Sequence, residues 1–149
     1  MKTIVRPVVT YGSETWTMTA TDQNRLLVFE RRILRKIYGP TRGEDGTWQI
    51  KTNDELERLI KGKNIVRFIK SQRLRWAGHI NRMDTMRIAK KLTEWEPCSS
   101  RPVGRPRLRW LDQVEEDLQK MKVRRWREKS KDRSLWSSIV KQAKTHQGL

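Results

Sequence analysis

The sequence predicts an all-α, basic multi-helix assembly, and three observations carry that prediction. Apolar residues recur at helical spacing through most of the chain after Thr19, while strand-like alternation is confined to the first dozen residues, expected to form a short extended N-terminal segment. Seven tryptophans, spread from Trp16 to Trp136, supply apolar anchors although only 35% of residues are hydrophobic. That separates the chain from disordered polypeptides, which are poor in aromatics. Lys and Arg number 34 against 17 Asp and Glu, a formal net charge of +17, well beyond what solubility requires. The expected partner is a polyanion.

A chain of 149 residues suits one domain or two small lobes. The pattern divides it into an N-terminal segment with one helix (1–40), a helical lobe with a basic face (41–93), a flexible Pro/Gly/Arg junction (94–106) and a C-terminal basic helical lobe (107–149).

The first helix is expected to be capped by Thr21-Asp22 and to carry the stripe Leu26, Phe29, Ile33 and Ile37, with Leu34 alongside, before Gly39-Pro40 stops it. Its other face holds Arg31, Arg32, Arg35 and Lys36, either a solvated face or a surface that follows phosphates. After a polar loop from Thr41 to Thr47, Asn53 with Asp54 and Glu55 opens a short helix through Ile60, because acids in a first turn complement the helix dipole.

Asn64 then caps a longer helix reaching about Met83, with Ile65, Ile69, Trp76, Ile80 and Met83 in one sector and Arg67, Arg75 and Arg82 in another. Three arginines aligned about two turns apart can follow a phosphate backbone while the apolar sector packs. His79, at the stripe's edge, reads as a hydrogen-bonded boundary residue. A short helix follows from Arg87 to Leu92, and then the breakers Pro97, Pro102, Gly104 and Pro106.

The helical period returns at Arg107, with Trp110 or Leu111, Val114, Leu118 and Met121 on one face. Glu115, Glu116 and Asp117 lie largely opposite, as a solvated acidic face. The run from Lys122 to Arg133 is basic and includes Arg124, Arg125 and Arg127; Asp132 caps a last helix that buries Leu135, Trp136, Ile139, Val140 and Ala143. Arg-Leu-Arg-Trp occurs twice, ending at Trp76 and at Trp110. Each occurrence sets two cations beside a ring that either stacks on a base or packs internally, and Trp126 offers the same choice.

Chemistry is chiefly conspicuous by what the sequence lacks. There is no phosphate-cradling glycine loop, no His-Glu-x-x-His, no nucleophile elbow and no Cys/His cluster, and the aspartates are scattered singly. Cys98 alone excludes an intramolecular disulfide and every multi-cysteine zinc pattern. The expectation is no catalytic residue, no metal, no cofactor and no small-molecule substrate. The opening MKTIVRPVVTYG lacks a signal peptide's apolar core, and no apolar run approaches the roughly 18–20 residues that span a bilayer. No membrane partner is expected, and an intracellular protein, nuclear when bound to nucleic acid, is the reading.

Five landmarks in order carry a resemblance: Tyr11-Gly12-Ser13-Glu14-Thr15-Trp16; Leu34-Arg35-Lys36-Ile37; Arg73-Leu74-Arg75-Trp76-Ala77-Gly78-His79 with Arg82-Met83; Gly104-Arg105-Pro106 with Arg109-Trp110-Leu111-Asp112; and Asp132-Arg133 with Trp136. Together they resemble the C-terminal region of non-LTR (LINE-type) retrotransposon reverse transcriptases. The resemblance implies the end of a thumb followed by a basic helical extension that handles RNA or DNA. It places the Tyr-x-Asp-Asp box and the endonuclease upstream, so this chain reads as a fragment whose Met1 falls within the thumb. The zinc knuckle of many relatives is missing here.

The expected function is therefore noncatalytic binding of RNA or DNA phosphate through Arg31, Arg35, Lys36, Arg67, Arg73, Arg75, Arg82, Arg101, Arg105, Arg107, Arg109, Arg124, Arg125 and Arg127. The alternative is a residual structural fragment that packs on a missing polymerase palm. The stretch RPVGRPRLRW also suggests an AT-hook, but Val103 stands where a hook's first arginine belongs, which favours a junction.

Overall fold

The computed structural model describes residues 4–95, 109–146 and 148–149, and among these the chain is helical apart from one small hairpin. The elements are α1 (Val5–Val9), a 3-10 turn (Ser13–Thr15), α2 (Ala20–Tyr38), β1 (Thr41–Arg42), β2 (Trp48–Gln49), α3 (Asn53–Leu59), α4 (Ile65–Asn81), α5 (Ile88–Glu94), α6 (Trp110–Lys120), α7 (Trp126–Lys129) and α8 (Arg133–Ala143). The all-α expectation holds.

Its N-terminal detail does not: the β-branched segment expected to be extended is α1. Pro7 sits in its first turn, where a missing N–H costs nothing. Tertiary contacts override strand propensity there, because the Arg6 guanidinium is buried against Glu30 (3.0 Å) and donates to the Lys63 carbonyl (2.9 Å). The polar loop after Pro40 also contains more order than expected. Thr41 pairs with Gln49 and Arg42 with Trp48 in an antiparallel hairpin, closed by a turn that places Gly46 at φ 78°.

Capping fixes the helix starts. Thr19, two residues before the expected cap, accepts from the Asp22 amide while Asp22 accepts from the Thr19 amide; Thr52 and Glu55 repeat this reciprocal box at α3. Asn64 caps α4 as expected, its Oδ1 accepting from the Arg67 amide at 2.9 Å, and the Glu30 carboxylate accepts from the Ile65 amide at 2.8 Å. A carboxylate at a helix N-terminus is favoured by the dipole. Asp132 caps α8 through the Ser134 and Leu135 amides.

Helix α4 is the spine, touching the 3-10 turn, α2, α5, α6 and α8. It is buried on more than one face, so the single expected stripe is too narrow. Ile65, Val66 and Ile69 pack with Met18 against Val9, Trp16, Leu26 and Leu27. One helical span further on, Leu74 and Ala77 join Val114, Leu118, Trp136, Ile139, Val140 and Ala143. Leu34, Leu56 and Ile60 form a third cluster between α2 and α3. Leu135, expected inside, is 44% exposed.

Helices α4 and α8 approach closely at Gly78. The Trp136 indole N–H donates to the Leu74 carbonyl at 3.0 Å, and its ring lies where a Cβ on Gly78 would be. Only glycine leaves that space free. Helices α3 and α6 both end in Schellman motifs whose left-handed residue is a lysine rather than glycine, Lys61 at φ 53° and Lys122 at φ 57°.

Two outcomes follow. Gly78→Ala should destabilise the chain by about 2–3 kcal/mol through overpacking against Trp136, read by urea unfolding. Lys122→Gly should stabilise it by about 0.5–1 kcal/mol, relief of the left-handed Cβ exceeding glycine's added unfolded-state freedom, read by the same measurement.

Candidate functional site

The structure divides the expected phosphate contacts by the work their side chains already do. Arg73, expected on the surface, is 2% exposed and makes an ion pair with Asp117. It also donates to Gln113 Oε1 and to the Trp16 carbonyl. Asp117, read as part of a solvated acidic face, is the buried counter-ion, and the Lys70 ammonium lies 3.4 Å from its other oxygen. Burial pushes Lys70 below the ordinary lysine range, against the pull of Asp117. Gln113 completes the network: its Oε1 accepts from the Met18 amide at 3.0 Å and its Nε2 donates to the Met18 carbonyl at 2.8 Å.

Three other expected contacts also hold parts of the fold together. Arg67 pairs with Glu57 at 2.8 Å and donates to the Gly62 carbonyl. Arg35 donates to the Lys51 carbonyl (3.1 Å) and Asn53 Oδ1 (2.8 Å), tying α2 to the start of α3. Arg82 donates to the Ser130 carbonyl. Of the Arg67–Arg75–Arg82 line, Arg67 and Arg82 therefore each also hold a neighbouring loop.

Lys36, Arg75, Arg124 and Arg125 are exposed and Arg31 is half-buried, with no carboxylate partner among the described residues; Arg32 and Arg133 share that condition. Arg127 is exposed, 3.4 Å from Glu115 and stacked 5.2 Å from the Trp126 ring centroid. Arg109 is exposed at the N-cap of α6. Arg101, Arg105 and Arg107, with the hook-or-junction stretch and Cys98, lie outside the described residues.

The tryptophans divide in the same way. Trp110 donates its indole N–H to the Glu14 carbonyl at 2.7 Å and packs on the α6–α8 core, and Trp126 packs on that core with its ring 6.0 Å from Trp136. Both act in packing. Trp76 instead borders a cleft of about 680 Å³ between α4 and α8, its ring 5.2 Å from that of His79. Arg75, Arg82 and Arg133 line the same cleft, with Gln72 and the carboxylate of Glu14 beside them.

Arg82 is pushed below its ordinary range by burial first and by the neighbouring Arg133 charge second. Two cations facing one cleft favour an anion between them. Arg133 is the site residue that periodicity missed. Its position directly after the Asp132 cap was the signal, since a cation in a helix's first turn opposes the dipole.

The assembly defined by these helices is a basic α-helical module. Along almost its whole length it is similar to a Caenorhabditis elegans protein described as an uncharacterized transposon-derived protein, with 28% identity over 149 residues, covering 96% of this chain and 53% of that relative. The similarity points to a transposon origin, and the chain spans about half the length of the relative. No family model matches, and no solved structure matches.

Arg73→Ala should cost about 3–5 kcal/mol by removing the closer of the two cations that pair with buried Asp117, whereas Arg75→Ala, two residues along the same helix, should change stability by no more than about 0.5 kcal/mol. Paired chemical denaturation of the two variants checks the division between fold and surface.

Proposed function

We propose that this chain is a noncatalytic nucleic-acid-binding portion of a retrotransposon reverse transcriptase, gripping RNA or DNA through backbone phosphates and acting in the nucleus. The observation that carries the reading is the set of exposed arginines and lysines without carboxylate partners among the described residues: Arg32, Lys36, Arg75, Arg124, Arg125 and Arg133. Surface cations in a protein of mixed charge are ordinarily interspersed with acids; a surplus left unneutralised is the electrostatic footprint of a polyanion site. The similarity to a transposon-derived protein supports the same reading.

The grip is largely independent of sequence, because phosphate contacts position a strand without reading its bases. Catalysis is left to other parts of the parent enzyme, and primer extension by the purified chain with Mg²⁺ would overturn that assignment.

A second reading draws on a different observation. Phe29 and Ile37 are exposed along one line of α2 with half-buried Ile33 between them, an apolar strip that suits packing on a polymerase palm by a chain with no independent activity. A purified chain that unfolds cooperatively and binds nucleic acid excludes it.

The test is the salt dependence of binding to labelled single strands. If about six phosphates are engaged, log K against log salt should fall with a slope of about −4, at roughly −0.7 per phosphate. A folded chain whose affinity is flat from low to moderate salt contradicts the proposal.

A further inference from the structure

The cleft between α4 and α8 carries more information than surplus charge does. Its arginines come from both helices: Arg75 and Arg82 from α4 and its C-cap, Arg133 from the first position of α8. Arg82 is held by its bond to the Ser130 carbonyl, so one end of its guanidinium is fixed. Arg133 stands exposed beside it, with no carboxylate partner among the described residues, at a helix position where the dipole disfavours a cation. The two repel one another, and an anion lodged between them relieves both.

Beside these charges lies an aromatic surface. Trp76 is half-buried, and its ring is inclined 38° to that of His79. Unlike Trp110 and Trp136, whose indole N–H groups are bonded to backbone carbonyls, Trp76 has no hydrogen bond among the described residues. The cleft's volume of about 680 Å³ falls in the range of sites that enclose a nucleotide-sized ligand. Glu14 is the one carboxylate on its wall among the described residues, so three guanidinium groups outweigh it.

We infer that this cleft is a single-strand site that seats a backbone phosphate between Arg82 and Arg133 and stacks the adjoining unpaired base on Trp76, with Arg75 at the neighbouring phosphate. The inference rests on the nucleic-acid reading above and narrows it to one site and one strand state. An inorganic anion would use the arginines and leave the ring idle; a nucleotide uses both. A duplex keeps its base faces covered by their neighbours, so only an unpaired base can reach the indole.

The experiment is fluorescence anisotropy with the full chain and three labelled probes: a single-stranded RNA or DNA oligonucleotide, the same strand carrying abasic positions, and the corresponding duplex. The wild-type chain should bind the single strand most tightly and lose about tenfold when the bases are removed, the scale of one stacked base. Trp76→Ala should show that tenfold loss on the intact strand and none further on the abasic one. Arg133→Ala, an exposed position that leaves packing untouched, should weaken both strands alike and make the salt slope shallower by about 0.7. Arg58→Ala, exposed on α3 away from the cleft, should leave the abasic discrimination unchanged.

A chain that binds single strands with wild-type affinity in both Trp76→Ala and Arg133→Ala overturns the cleft assignment while leaving nucleic-acid binding intact. Duplex preference, or displacement of the strand by a phosphopeptide but not by unlabelled oligonucleotide, overturns it as well. A folded chain that binds none of the probes overturns both readings.

Discussion

The buried guanidinium of Arg73 is the contact on which the remaining structure depends. It sits on α4 between two apolar clusters, one around Ile65, Val66 and Ile69 and the other around Leu74 and Ala77. There it meets Asp117 and Gln113 from α6 and the Trp16 carbonyl from the segment before α2. Gln113 in turn bonds both backbone groups of Met18, as a neighbouring strand would. Parts of the chain almost a hundred residues apart are thereby held in one register. A buried ion pair need not add stability relative to a well-packed apolar pair, but losing one partner strands the other. What the network supplies is a unique alignment of α4, α6 and the N-terminal segment.

That alignment explains why a net charge of +17 is not spread evenly over the function. Arg6 and Arg73 each face a buried acid, Arg67 pairs with the partly exposed Glu57, and Arg82 grips the Ser130 carbonyl while lining the cleft. The string Arg73-Leu74-Arg75-Trp76-Ala77-Gly78-His79 divides residue by residue. Arg73, Leu74 and Ala77 are buried, Gly78 admits the Trp136 indole, and Arg75, Trp76 and His79 border the cleft. A single stretch both builds the spine and presents a surface.

Helix existence and order were legible in the sequence, because 3.6-residue spacing and capping residues act locally. Asn64 and Asp132 cap where expected, and Gly39 ends α2. The Thr-x-x-Asp and Thr-x-x-Glu boxes at Thr19 and Thr52 are equally local signals of a helix start. The first segment misled because Val and Ile suggest a strand, while Arg6 decides its conformation through partners dozens of residues away. The candidate site was less legible, because an arginine reads alike whether buried or wet. Glu30 lies midway between Leu26 and Leu34, Lys70 between Val66 and Leu74, and Arg73 between Ile69 and Ala77, all at four-residue steps. A charge set within an apolar stripe was the available sign of a buried pair.

Amide hydrogen exchange at Met18 bears most directly on this account. Its N–H lies outside any helix and is bonded to the Gln113 side chain, which Arg73 also grips. If the network locks the N-terminal segment to the spine, Met18 opens only on global unfolding, with the same exchange free energy as the amides of Leu74 and Ala77. A Met18 amide that exchanges at the rate of an open loop while α4 remains protected would contradict it.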